Sequence, residues 1–219
     1  LLIGLLVGMF AGFFIAYLDI PPFVVTLATM LMGRGLTYTL LKAQTKGPHP
    51  DNFVYLGAGF LPTAKISFGD GTLDLVCIAV AIVASVALVL NEIRSIKTKE
   101  KYNFATNPMW QVVLKLVVML FIIWFCFFKL AQYNGLPFVL VIMALLIALY
   151  GFITSKTVAG RQIYALGGNR KAANLSGIDT KKVFFWVYTN MGILSAVAGI
   201  VLSARNSSST PKAGDGFEM

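Results

Sequence analysis

Arg34 sits inside an apolar run, in Met32-Gly33-Arg34-Gly35-Leu36. A guanidinium is costly in hydrocarbon and normally faces a protein interior or a water-filled cavity. Its glycine neighbours permit irregular backbone, which is tolerated at membrane depth only where it is buried in protein or lines a cavity. Phe23, Thr26, Thr29 and Met30 lie earlier on the same run, and Thr37 and Thr39 add polarity after it. Phe23, Thr26, Thr29 and Met30, together with Arg34, form a candidate lining for the path of a polar solute. A second reading stands beside this one, in which Arg34 snorkels from an interfacial end of its segment.

Other residues exclude chemistry rather than suggest it. Gly167-Gly168-Asn169-Arg170-Lys171 lacks the G-x-x-x-x-G-K-[ST] spacing that cradles phosphates, so ATP hydrolysis is not expected of this chain. No Gly-x-Ser-x-Gly elbow occurs. The acids are scattered, and Asp19 and Asp74 fall at segment ends rather than mid-membrane, where a proton relay needs one. His49 is the sole histidine and has no second ligand at metal spacing, so it is expected at the surface; no metal and no cofactor is expected. Cys77 and Cys126 both lie in apolar runs and read as small packing residues rather than a disulfide.

The elements that position these residues follow from composition. Hydrophobic residues make up 58% of the chain and charged residues 12%, about half the share of a soluble domain. The expected fold is an all-α polytopic membrane protein, with candidate spans at 1–17, 22–41, 73–90, 110–130, 137–153 and 183–204 in one transmembrane domain. The net charge of +9 is concentrated in two hydrophilic loops, 91–108 and 154–182, which places both in the cytoplasm and argues against a nucleic-acid partner. Loops 42–72 and 131–136, and the tail from Arg205, are then external. The proline- and glycine-rich stretch PHPDNFVYLGAGFLP reads as turns, with Phe53, Tyr55 and Phe60 resting at the interface. Lys115 and Lys129, near opposite ends of their helix, are expected to snorkel. Gly4, Gly8 and Gly12 share one helix face and admit a close neighbour, while Gly192, Ala196 and Gly199 offer a weaker small-residue face. The chain opens inside an apolar run without a signal-peptide n-region and reads as an internal piece of a longer polytopic protein.

The segment GRQIYALGGNRKAANLSGIDTKK, residues 160–182, is a polar insert between two apolar runs. Asn169 can cap a helix of about two turns, and Gly177 can end it in the left-handed region. Such a helix is too short to cross a bilayer. Held in the cytoplasm between two spans, it is built to receive force from a soluble partner. Ala172 and Ala173 keep its surface thin, Leu175 can anchor it, and Arg170 and Lys171 can pair with acids on that partner.

Three stretches resemble one family, the membrane permease subunits of bacterial ABC importers for monosaccharides of the ribose, galactoside and xylose group. They are IPPFVVTLATMLMGRGLT at 20–37, GRQIYALGGNRKAANLSGI at 160–178 and AGIVLSARNSSSTPKAGDGFEM at 198–219. The loop with QTKGPHPDNF is more similar to the xylose and multiple-sugar branch than to the ribose branch. The family continues past the last motif into a glycine-rich region and further helices. The resemblance implies a multi-pass protein of the bacterial cytoplasmic (inner) membrane and a pair of permeases, with a second copy of this one as the expected partner. It also implies a cytoplasmic ATP-binding subunit and an extracytoplasmic sugar-binding protein. Gly167, Gly168, Asn169, Ala172, Ala173, Leu175, Ser176, Gly177 and Ile178 would form the element coupled to the ATPase. The alternative is a stand-alone secondary transporter or channel for a small polar solute, with segments interrupted near Pro21-Pro22 and Gly33-Arg34-Gly35.

Overall fold

The computed structural model describes residues 1–61, 65–68, 71–101, 108–132 and 135–216. Parts of the loops and of the tail read above, at 62–64, 69–70, 102–107, 133–134 and 217–219, lie outside the described residues. The chain divides into two compact units, Leu1–Gly59 with Phe138–Met219, and Phe60–Pro137.

The first unit is built on two long apolar helices that touch backbone to backbone. Helix α1 spans Leu2–Tyr17, and α9 spans Thr180–Arg205. Gly4, Gly8 and Gly12 recur every four residues, so they stack on one face of α1. That face meets Gly192 and Ala196 of α9: a Cβ on Gly8 would sit 2.8 Å from the Thr189 carbonyl oxygen and 2.9 Å from that of Tyr188. Close approach of this kind replaces side-chain packing where lipid supplies no hydrophobic drive. Gly199 stands outside the seam, with no atom within 4 Å of an added Cβ.

Helix α2, Pro22–Leu41, starts with Pro22 in its first turn, where a missing N–H costs nothing. It runs unbroken through Gly33-Arg34-Gly35. The interruption that a stand-alone carrier would use is therefore absent at this point, because an exposed stretch of helix tolerates both glycines. Helix α3, Asp51–Ala58, takes the place of the turns expected in that loop. It packs on α9 through Gly57, where an added Cβ would lie 2.7 Å from the Val201 carbonyl oxygen.

In the second unit, strands β1 (Lys65–Phe68) and β2 (Gly71–Asp74) pair antiparallel, with Lys65 opposite Asp74. Helix α4 then runs over Leu75–Lys101 and α5 over Met109–Gln132. The loop expected from residue 91 is thus helical to Lys101. At 1.5 Å per residue α4 is about 40 Å long, more than the roughly 30 Å of a bilayer core, and its polar end continues the helix beyond the apolar part. Lys115 does not merely snorkel: its Nζ lies 3.1 Å from the Glu92 carboxylate of α4. Cys77 is buried and Cys126 exposed, both as free thiols.

Helix α6 spans Phe138–Lys156, α7 Val158–Gly168 and α8 Arg170–Leu175, all in the first unit. Among the described residues, five helical stretches are long and apolar enough to cross a membrane: Pro22–Leu41, Leu75–Thr98, Met109–Gln132, Phe138–Lys156 and Thr180–Arg205. Helix α1 is shorter, at 16 residues. The chain is an all-α polytopic membrane protein carrying one small hairpin.

Candidate functional site

The polar insert folds as two capped helices rather than one. Thr157 caps α7, its hydroxyl accepting from the Gly160 N–H at 3.2 Å. The sequence offered this signal, a Thr directly before a helical run, but the charge of the insert masked it. Asn169 then ends α7 and starts α8, and its Oδ1 accepts from the Ala172 N–H at 3.1 Å. At the other end Gly177 adopts a φ of 82°. Its N–H donates to the Asn174 carbonyl at 3.0 Å, and the Ile178 N–H donates to the Ala173 carbonyl at 3.1 Å. These two bonds are the Schellman pattern, which satisfies the last carbonyls of a helix and needs a residue that tolerates positive φ. With both ends bonded, six residues hold a helical shape that they could not keep alone in water.

The side chains of α8 divide by face. Leu175 is 90% exposed, although it is the bulkiest apolar residue of the helix. Ala172, Lys171 and Ser176 are exposed as well, and the Ser176 hydroxyl donates back to the Ala172 carbonyl at 2.9 Å. Gly167 and Gly168 are exposed at the end of α7 with open space beside them, and Ile178 is half-buried. Ala173 differs from Ala172 in being only 4% exposed, covered by the protein itself. Arg170 pairs in cis with Asp19, Nη2 to Oδ1 at 2.8 Å, and its guanidinium lies 5.1 Å from the centre of the Phe184 ring. The hydrogen bond from Arg170, with the charge behind it, holds the Asp19 carboxyl below the usual carboxylate range. Neither Asp19 nor Phe184 carried a sequence signal for this role.

Asp179 caps α9 immediately afterwards. Its Oδ1 accepts from the Lys182 N–H at 3.1 Å, and its Oδ2 lies 3.0 Å from the Lys182 Nζ. The backbone bond first, then the ammonium, keeps this carboxyl below its ordinary range too. Asp179 and Lys182 also line a half-open cavity of about 560 Å³ between α6, α7 and α9, together with Tyr150, Gln162, Trp186 and Asn190. The Tyr150 hydroxyl donates to the Asn190 side-chain oxygen at 2.6 Å across it. The sequence singled out none of these residues.

Of the residues proposed to line a path on α2, Phe23 is 73% exposed, while Thr26, Thr29, Met30 and Arg34 are half-buried. The Thr26 hydroxyl donates to the Pro22 carbonyl at 2.9 Å and that of Thr29 to Val25 at 2.7 Å. Thr29 lines a cavity of about 180 Å³ bounded also by Phe10, Phe14 and Met32. Arg34 is paired in cis, its Nη2 2.9 Å from Asp215 Oδ1 in the tail after α9. Its charge is thus paired with a carboxylate of the protein.

His49 is not a free surface residue. It is half-buried, and its Nε2 lies 3.2 Å from the Ser203 hydroxyl and 3.0 Å from that of Ser209. Its ring packs edge-on against Phe53 at 5.2 Å, and Tyr55 packs on Phe138 at 5.4 Å, so these two aromatics contact protein rings. Lys46 and Ser209 exchange backbone hydrogen bonds at 2.9 and 2.8 Å beside them.

The pattern of the family described as "branched-chain amino acid transport system / permease component" matches residues 1–219. The chain is 30% identical over 217 residues to the xylose transport system permease protein of Haemophilus influenzae, covering 99% of this chain and 55% of that protein. It is 31% identical over 219 residues to the xylose permease of Escherichia coli K12, covering 100% and 53%. A shorter stretch of 85 residues is 42% identical to the ribose import permease protein of H. influenzae, covering 39% and 26%. The chain spans about half the length of the xylose permeases it matches. No solved structure matches it.

Proposed function

The chain belongs to the branched-chain amino acid transport system / permease component family, and from that premise we propose that it forms part of the translocation pathway of an ATP-driven monosaccharide importer. It is a multi-pass inner-membrane protein, with α1 proposed as a sixth span beside the five longer ones. The substrate class is a pentose or similar sugar, supported by the names of the xylose and ribose permeases it resembles. ATP hydrolysis resides on a separate cytoplasmic subunit, and an extracytoplasmic binding protein delivers the sugar. A second copy of the permease completes the pathway.

One observation carries this reading. Helix α8 is locked at both ends by hydrogen bonds and yet leaves Leu175 90% exposed. Leu175 is the most exposed large apolar side chain among the described residues, and it stands on a polar insert outside the candidate spans, which supports a protein partner rather than lipid as what covers it. The groups behind α8 are also suited to transmit force. It continues into α9, and α9 is fastened to α1 along the glycine seam, so a push on α8 moves two helices as one body. Loops 91–108 and 154–182 face the cytoplasm in this reading, and the pairing of Lys46 with Ser209 supports placing the chain just after α2 and the tail after α9 on one side.

The test is purification of the full-length permease from detergent, followed by reconstitution into liposomes. The ATP-binding subunit should co-purify, and uptake of labelled xylose should require both ATP and the binding protein. Uptake that proceeds at the same rate without ATP or the subunit would refute the importer reading and restore the stand-alone carrier.

A further inference from the structure

Arg170 is held from two directions. The Asp19 carboxylate reaches it at 2.8 Å from the turn between α1 and α2, and the Phe184 ring lies beneath it at 5.1 Å on α9. The turn that presents Asp19 is itself constrained. Asp19 sits at a φ of 51°, in the left-handed region that short polar side chains tolerate better than other non-glycine residues. The Ile20 N–H donates back to the Phe14 carbonyl at 3.4 Å, and Pro21 and Pro22 fix the next two φ angles. Few free rotations therefore separate the Asp19 carboxylate from the first turn of α2. Ile15, Ile20, Pro21, Pro22 and Phe184 close around the pair in a pocket of about 80 Å³. The pair is half-exposed, and exposed ion pairs contribute little to stability. What this one defines is position: it ties α8 to the start of the helix that bears Thr26, Thr29 and Arg34.

We propose that Asp19 is a positioning residue for transport, passing the movement of α8 through Arg170 into α2, in parallel with the covalent path into α9. The inference rests on reading α8 as the element that meets the ATPase. Through the covalent link alone, a displaced α8 would act on α9 and, by way of the glycine seam, on α1, reaching α2 only at second hand through residues 18–21. With the Asp19–Arg170 pair intact, α2 follows, and the segment carrying the candidate pathway residues changes its angle to the rest.

The test uses the full-length permease assembled with its ATP-binding subunit and binding protein in liposomes. The quantity read is xylose molecules imported per ATP hydrolysed. Asp19→Asn and Arg170→Gln should each lower that ratio at least five-fold while the ATP-binding subunit co-purifies as in wild type. Arg170→Lys, which keeps a cation within reach of Asp19 and leaves the φ of 51° there undisturbed, should retain at least half of it. Ratios within two-fold of wild type in both single variants, or an Arg170→Lys ratio no better than that of Arg170→Gln, would overturn the proposal. Should a single variant fail to reach the membrane, the cysteine pair Asp19→Cys with Arg170→Cys decides. Bridging it with a short reagent should alter the ratio, and a bridged protein that transports as before overturns the inference. A wild-type permease that retains no ATP-binding subunit takes this inference down with the importer reading, and that failure is seen before any variant is compared.

Discussion

Gly8 and Gly192 meet with no side chain between them: a Cβ on Gly192 would lie 2.7 Å from the Gly8 Cα. The contact draws α1 and α9 together near the middle of both helices. Replacing Gly192 with Val forces at least three heavy atoms into that gap. Overpacking of this kind costs about 1–3 kcal/mol. Gly192→Val should lower the melting temperature of the detergent-solubilised protein, measured by thiol-reactive dye unfolding. Gly199→Ala, in open space on the same helix, should not lower it and should raise it slightly, since alanine is the better helix former.

Leu175 and Ala173 stand two residues apart and report on different things. Leu175→Ser removes an exposed apolar contact and should weaken retention of the ATP-binding subunit about ten-fold, which is about 1.4 kcal/mol, at an unchanged melting temperature. Ala173→Glu instead places a carboxylate in a site 4% exposed. It should destabilise the insert by about 1–3 kcal/mol before any partner is added. Pull-down of the subunit alongside a melting curve separates the two.

Gly177 carries the φ of 82° on which the end of α8 depends. An added Cβ meets open space there, so the cost of Gly177→Ala is backbone strain alone, about 1 kcal/mol. The Ile178 amide, bonded to the Ala173 carbonyl, should exchange its hydrogen roughly five-fold faster as the last turn frays. Amides in the middle of α9 should exchange at their former rates.

The Asp19–Arg170 pair has a defined pH window. The carboxyl is held below its ordinary range by the Arg170 hydrogen bond, so the folded state binds this proton less readily than the unfolded chain. Its contribution is complete above about pH 3.9, the ordinary Asp value, and is lost as pH falls through the lower folded value. A spin-label pair at Leu18 and Ser176 should therefore show one distance from pH 8 to pH 5. Lengthening already at pH 5 would contradict this ordering.

The insert shows what can be read locally. Both ends of α8 follow from the cap at Asn169 and the stop at Gly177, because each depends on residues a few positions apart. The seam was visible as two small-residue faces, since helix periodicity places Gly4, Gly8 and Gly12 in line. What sequence could not convey is which face meets which charge. Asp19 lies 151 positions from Arg170, and His49 lies 154 and 160 positions from its two serines. Such pairs depend on how helices from opposite ends of the chain are brought together. The burial of Ala173 was not legible either, because an alanine on a six-residue helix gives no periodic sign of which side is covered.

The threonines of α2 have a consequence for any molecule that moves beside them. Thr26, Thr29, Thr37 and Thr39 each give their hydroxyl hydrogen to a backbone carbonyl of the same helix. What remains outward is lone pairs and methyl groups. A sugar, with a hydroxyl on most of its carbons, can donate to that surface but cannot be clasped by it in both directions. Each contact is then single and easily exchanged for the next, which favours passage over residence.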